Sequence, residues 1–154
     1  MAIRRIITVG DDILTKKCKE VDVTDKRVLQ LLDDLRDTLK QANGVGLAAP
    51  QVGILKRLAI IDLPDESGIF ELINPSIIER EGSQVDNEGC LSFPGQYGEV
   101  ERPYRVKVRT LTRSGKPVEL EGEGLFARAV CHEVDHLEGK MFMGLVTKWL
   151  EEED

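Results

Sequence analysis

Apolar side chains recur at Val28, Leu31, Leu32, Leu35 and Leu39 within residues 25–41, with charged residues between them. That spacing draws one stripe along a 3.6-residue helix and leaves a charged opposite face, so it predicts a surface helix packed on a core. Thr24 or Asp25 can cap its start, and the Asn43-Gly44 pair can end it. The period then shortens. Arg57–Leu63 is a short apolar strand closed by Pro64, and residues 70–78 contain Asn74 and Pro75, so pairing there is interrupted or at a sheet edge. Tyr104, Val106, Val108 and Thr110 alternate with Arg105, Lys107 and Arg109, the pattern of a half-buried strand. Arg113-Ser114-Gly115-Lys116 reads as a turn into Pro117–Glu123, with Val118 and Leu120 facing in, which makes this pair a hairpin. Gly124 opens a second helical segment, LFARAVCHEVDHLEG, and all six prolines lie outside both helices. Lys148 to Asp154 reads as a fraying helix end or a disordered acidic tail. No repeat, low-complexity stretch or linker divides the chain, so residues 1–154 read as a single domain.

Charge and composition narrow the function. The net charge is −7, which argues against a direct nucleic-acid binder or a membrane-surface binder, since both need clustered cations. The longest apolar run, Leu58-Ala59-Ile60-Ile61, is far too short to span a bilayer, and nothing resembles a signal-peptide core. Cys18, Cys90 and Cys131 are odd in number and widely spaced, which excludes a disulfide framework and suggests a reducing cytoplasm.

The chain has only two histidines, and both lie in the second helix, in His132-Glu133-Val134-Asp135-His136. At i and i+4 they share a face, so both imidazoles can converge on one ion. Glu133 is about 100° round the helix, within reach of a metal-bound water without being a ligand. The bland alternative is a helix with two solvated histidines and an acidic face. A metal needs a third anchor, and the pattern His-x-x-Gly-x-x-His begins at His136 but ends on Phe142. Cysteine is the remaining soft ligand. Cys131 points away from the histidines, and Cys18 lies in a lysine-rich polar stretch. A lone cysteine is ordinarily a small buried hydrophobe. Cys90 departs from that because Gly89 lets the backbone approach closely and two histidines need a partner, so the inferred set is Cys90, His132 and His136 with water as fourth ligand. In Gly44–Gly53, three glycines exclude a helix, and no Lys-Ser/Thr follows to make a phosphate loop. Gln51 there is either a donor to a developing oxyanion or a turn-stabilising amide, and its composition leaves the two readings level.

Taken in order, GVGLAAPQVG, EGCLS and HEVDH resemble the three signature motifs of bacterial peptide deformylases, and the similarity extends through LKRLAIIDL and INPSII. The resemblance implies an α+β fold, with antiparallel β-sheets packed around a central helix carrying the histidines. It implies removal of the N-formyl group from the formyl-methionine of newly synthesised polypeptides in the cytoplasm. It implies a metal on Cys90, His132 and His136, Glu133 as base, and the Gln51 side chain and Leu91 N–H as oxyanion donors. The native ion by resemblance is Fe(II), with nickel, cobalt or zinc able to substitute. An extended peptide would pair with Val45, Gly46 and Gly89. Leu125 and Ala129, on the histidine face, either line a methionine pocket or are ordinary core. Formyl-methionyl nascent peptides are the implied partners. A transient ribosome contact stays open, although the acidic tail lacks the basic helix some relatives use for it. Tyr97 stands where other members carry a basic residue. Two alternatives remain: another metal-dependent peptidase or amidase, and a non-catalytic domain of the same fold.

Overall fold

The computed structural model describes residues 2–65 and 67–150. The first helix, α1, spans Lys26–Ala42 and is capped by Asp25, whose carboxylate accepts from the Arg27 N–H. It ends at Asn43 in the left-handed conformation. The apolar stripe is buried as expected, but the opposite face is not all solvated: Asp34 and Thr38 are buried too. They are covered by the N-terminal arm, where the Ala2 N–H and the Arg4 guanidinium donate to Asp34 and the Arg4 N–H donates to Thr38.

Three antiparallel three-stranded sheets follow. The first joins β1 (Gly46–Ala48), β2 (Leu58–Asp62) and β3 (Ile69–Ile73). The second joins β4 (Ser76–Glu81), β7 (Arg105–Leu111) and β8 (Pro117–Glu123), and the third joins β5 (Gln84–Cys90), β6 (Phe93–Arg102) and β9 (Val146–Trp149). The predicted interruption at Asn74-Pro75 separates β3 from β4, and the predicted hairpin is β7–β8, with Val108 opposite Leu120. Tyr104 precedes β7 and is exposed, so the inward alternation starts at Val106.

The second helix, α2 (Leu125–Leu137), lies between the first and second sheets. The first sheet is a wall with a core on each side. Leu58 and Ile60 pack with α1, whereas Ala59 and Ile61 pack with α2. Leu47 and Ala48 of β1, and Ile73 and Leu72 of β3, divide in the same way. A strand buried on both faces needs apolar residues in succession, which explains the unbroken run in β2.

The expected frayed tail is corrected at Lys148 and Trp149. They belong to β9, with Trp149 opposite Gly98 and Lys148 opposite Glu99. Trp149 is held there by edge contacts with Phe93 and Phe142, at 5.9 and 6.0 Å between ring centroids. The final four acidic residues lie outside the described residues.

Candidate active site

The site is assembled from three places. One is α2, which starts on Gly124 and buries eleven of its thirteen residues, His132, Glu133 and His136 among them. The second is the end of β5, where Cys90 pairs with Phe93 across the tight turn Leu91-Ser92. The third is the glycine-rich segment, which folds as β1 followed by a 3-10 turn at Ala49–Val52. The ligand atoms of Cys90, His132 and His136 all lie within 4.8 Å of one another, and Cys90 Sγ is 3.3 Å from His136 Nε2. Cys131 is buried in the apolar core and is not in this group. Its thiol is pushed up to about 11 by burial. Cys18 is half-buried against the same core, and burial likewise raises it to about 11.

Glu88, two residues before Cys90 on β5, orients the first histidine. His132 Nδ1 donates to Glu88 Oε1 at 2.7 Å, which turns Nε2 toward the position an ion could take. The carboxylate is itself gripped by Arg102, whose Nε and Nη2 reach Oε2 and Oε1 at 2.8 and 2.9 Å. Arg128 Nη1 adds a fourth donor at 2.5 Å, and Arg102 Nη1 continues to Asp135 at 2.7 Å. Burial would raise the Glu88 carboxyl, but Arg102 and His132 outweigh it and hold it at about 2. Burial would also depress His132, but its contacts with Cys90 and Glu88 keep it well above its ordinary value. His136 is driven well below its ordinary value by burial and by the neighbouring His132.

Glu133 lies among these groups without a partner for its buried Oε1. Burial, the dominant influence, raises its carboxyl to about 7. Its neighbour is Gly46, where a Cβ would come within 2.8 Å of the Glu133 Cδ, so a side chain there would displace the Glu133 carboxylate. The two readings of Gln51 are compatible. Its Oε1 accepts from the Ala48 N–H at 2.9 Å, stabilising the turn. That bond aims Nε2 at Ser92 Oγ (3.1 Å) and Cys90 Sγ (3.5 Å).

A cavity of about 430 Å³ opens onto His132, Glu133 and Cys90. Val45, Gly46, Gly89, Leu125 and Ala129 all line it, as do Leu91 and Arg128. Leu125 is exposed at the rim and Ala129 is buried in the wall. Tyr97 lines the mouth, with its ring 2.5 Å from where a Cβ on Gly89 would stand. Sequence reasoning missed Glu88, Ser92, Arg102, Arg128 and Asp135. Glu88, Ser92 and Asp135 lie inside the motifs it used and Arg128 lies one turn before HEVDH, but Arg102 carries no local signal.

A helix bearing two histidines between antiparallel sheets, with a cysteine brought to the same point, is the arrangement of an α+β metal-dependent hydrolase. The family model for polypeptide deformylase matches residues 3–151. A peptide deformylase of Acetivibrio thermocellus is 54% identical over 154 residues, covering 100% of this chain and 89% of its own. One of Alkaliphilus metalliredigens is 57% identical over 148 residues, covering 96% and 99%. The crystal structure of a peptide deformylase from Legionella pneumophila superposes with a TM-score of 0.90 at 43% identity, covering 95% of this chain and 87% of that one. The chain belongs to the polypeptide deformylase family.

Proposed function

We propose that Cys90, His132 and His136 hold the metal of a peptide deformylase, an enzyme that removes the N-formyl group from the formyl-methionine of newly synthesised polypeptides. The convergence of the three ligand atoms beside Glu133, whose buried Oε1 has no partner, carries this reading. One thiol and two imidazoles, one of them fixed by Glu88, suit a first-row transition ion, and Fe(II) is the ion we assign, with nickel, cobalt or zinc as substitutes. A bound ion supplies the Lewis acidity that polarises the formyl carbonyl and lowers the pKa of water toward neutrality.

The remaining work falls to the chain. Glu133 takes the proton of the attacking water and later delivers it to the leaving amine. Its basicity, raised by burial, suits that exchange near neutral pH. The Gln51 Nε2 and the Leu91 N–H donate to the oxyanion, and Gln51 is already turned to do so by its bond to Ala48. β1 and β5 are the outer strands of their sheets and border the cavity. An extended substrate adds its backbone between them, along Val45, Gly46 and Gly89. The first side chain of the substrate lies against Leu125 and Ala129.

We assign the chain, as one domain, to the cytoplasm, in transient contact with the ribosome where its substrates emerge. Three unpaired thiols support the compartment. No described helix is long and apolar enough to cross a membrane. Protein purified without air should release formate from a formyl-Met peptide and leave acetyl-Met and internal peptide bonds intact, with one iron per chain. Absence of formate release by the metal-loaded protein overturns the reading.

A further inference from the structure

Ser92 is a polar residue without exposed surface, set in the tight turn between β5 and β6. A serine hydroxyl in a turn commonly bonds its own loop. The Ser92 hydroxyl instead accepts from Gln51 Nε2 at 3.1 Å, across 41 positions of sequence. Gln51 is buried as well, so water does not compete for the bond. A carboxamide is planar, with one acceptor oxygen and two N–H donors on its nitrogen. In Gln51 the oxygen is taken by the Ala48 N–H at 2.9 Å and one N–H by Ser92. The nitrogen also lies 3.5 Å from Cys90 Sγ, and Cys90 lines the cavity. Held by Ala48 alone, the amide could rock about its oxygen. The second tether fixes its plane, and with it the line of the remaining N–H. The backbones of the same two residues are tied by the N-terminal arm, whose Ile7 N–H donates to Gln51 O at 2.7 Å and whose Val9 N–H donates to Ser92 O at 2.8 Å. That clamp uses main-chain atoms, so it does not depend on the Ser92 side chain.

We infer that Ser92 is a positioning residue of this deformylase: its hydroxyl oxygen holds one N–H of Gln51, so that the other stays on the place where the formyl oxygen becomes an oxyanion. The inference rests on the function proposed above, in which the Gln51 Nε2 and the Leu91 N–H donate to that oxygen. Leu91 and Ser92 are consecutive, so a single turn carries one donor and aims the other. Oxyanion donors are effective because they are in place before the charge develops. A Gln51 amide free to rock must be reoriented at that moment and gives up part of the advantage. Ser92 itself touches neither substrate nor metal in this scheme, and it acts only through Gln51.

The test uses the metal-loaded full chain and a formyl-Met peptide. Ser92→Ala should lower kcat by about 3- to 10-fold, the span of one net hydrogen bond, and leave KM and metal per chain unchanged. Ser92→Gly, which asks for no side-chain space, should show the same loss, and Ser92→Thr, which keeps the hydroxyl, should recover most of it. The deciding comparison is made in Gln51→Ala, which already lacks the donor. There Ser92→Ala should change kcat by less than about 2-fold. Losses that simply multiply would mean that Ser92 does not act through Gln51, and would overturn the inference. Binding gives a second readout. A peptide with a tetrahedral phosphinate in place of the formyl group presents the oxyanion without reacting. It should bind Ser92→Ala about 3- to 10-fold more weakly than the wild type, while the methionyl product peptide binds both alike. Equal weakening of both ligands, or full kcat in folded Ser92→Ala or Ser92→Gly, overturns this inference alone. No turnover of any formyl peptide by the wild-type protein removes the deformylase reading with it.

Discussion

Helices α1 and α2 solve the same packing problem in opposite ways. The α1 helix buries seven of seventeen residues, and Asp34 is the one charged side chain among them. Helix α2 buries almost everything, including Arg128, His132, Glu133 and His136. Each buried charge there must be met by a group brought from elsewhere, and β5 and β6 bring Glu88 and Arg102. Where α1 converts apolar area into stability, α2 carries polar groups into the interior at the expense of stability. Three buried polar atoms of α2 are left unmet, on Arg128, Glu133 and His136, and Glu133 is the group assigned to substrate chemistry.

That contrast predicts separable effects. Glu133→Ala should keep its metal and lose turnover by about 10²- to 10⁴-fold, the usual range for a general base, as measured by formate release. Near-normal deformylation would remove Glu133 from that role. Cys90→Ala should lose the metal itself, and iron bound as tightly as in the wild type, by metal analysis, would contradict the assigned ligand set. Glu88→Ala removes the carboxylate shared by two buried arginines and leaves Arg128 without a counter-charge, so it should cost about 3–5 kcal/mol in denaturant unfolding. It should also weaken metal affinity by about 10- to 100-fold. In α1 the consequences should stop at stability. Leu32→Ala, at a fully buried position, should cost about 2–5 kcal/mol and leave kcat/KM of the folded fraction unchanged.

The smallest effect belongs to Asp34→Ala, at about 1–2 kcal/mol through its lost hydrogen bonds. Burial acts to raise the Asp34 carboxyl, but donors from Gln30, the Ala2 N–H and Arg4 outweigh it and hold the pKa below the ordinary value. Its folded pKa is therefore lower than its unfolded one, so its contribution is present above the ordinary carboxylate pKa and fades as pH falls through the folded value. The Tm gap between wild type and Asp34→Ala should narrow on going from pH 7 toward pH 3. A gap that widens in acid would reverse the sign, and a change in turnover would blur the division between the helices.

The legible parts of this fold are those whose side chains serve only packing. Helix α1, strand β2 and the β7–β8 hairpin carry clean periods, so their positions and the turn between them could be read directly. Strands β1, β5, β6 and β9 were not recognised as strands. Glycine occupies position 46 because Glu133 leaves no room for a side chain, and position 89 because Tyr97 covers it. Glu88 and Arg102 are buried polar residues in strands and look exposed by pattern alone. The demands of the site erased the alternation that would have announced these strands. The two imidazoles, Glu133 and Cys90 were legible because their chemistry is rare in a chain with two histidines. The supports of His132 were not, since the Glu88–Arg102 pair links residues on neighbouring strands with no local spacing rule. The buried Asp34 was hidden for a similar reason: its partners come from an arm some thirty residues earlier.

The wall formed by β2 has a further consequence. In a sheet with one wet face, a slip of one residue turns oily side chains into water, and polarity forbids it. Here both sides are dry, so Leu58, Ala59, Ile60 and Ile61 would remain buried after such a slip. What distinguishes the correct alignment is size. Two large side chains face α1, while the α2 side receives a methyl group and one isoleucine. The alignment of β1, and with it the glycine that makes room for Glu133, is thus guarded by shape, and Ala59 is the position where that information is most concentrated.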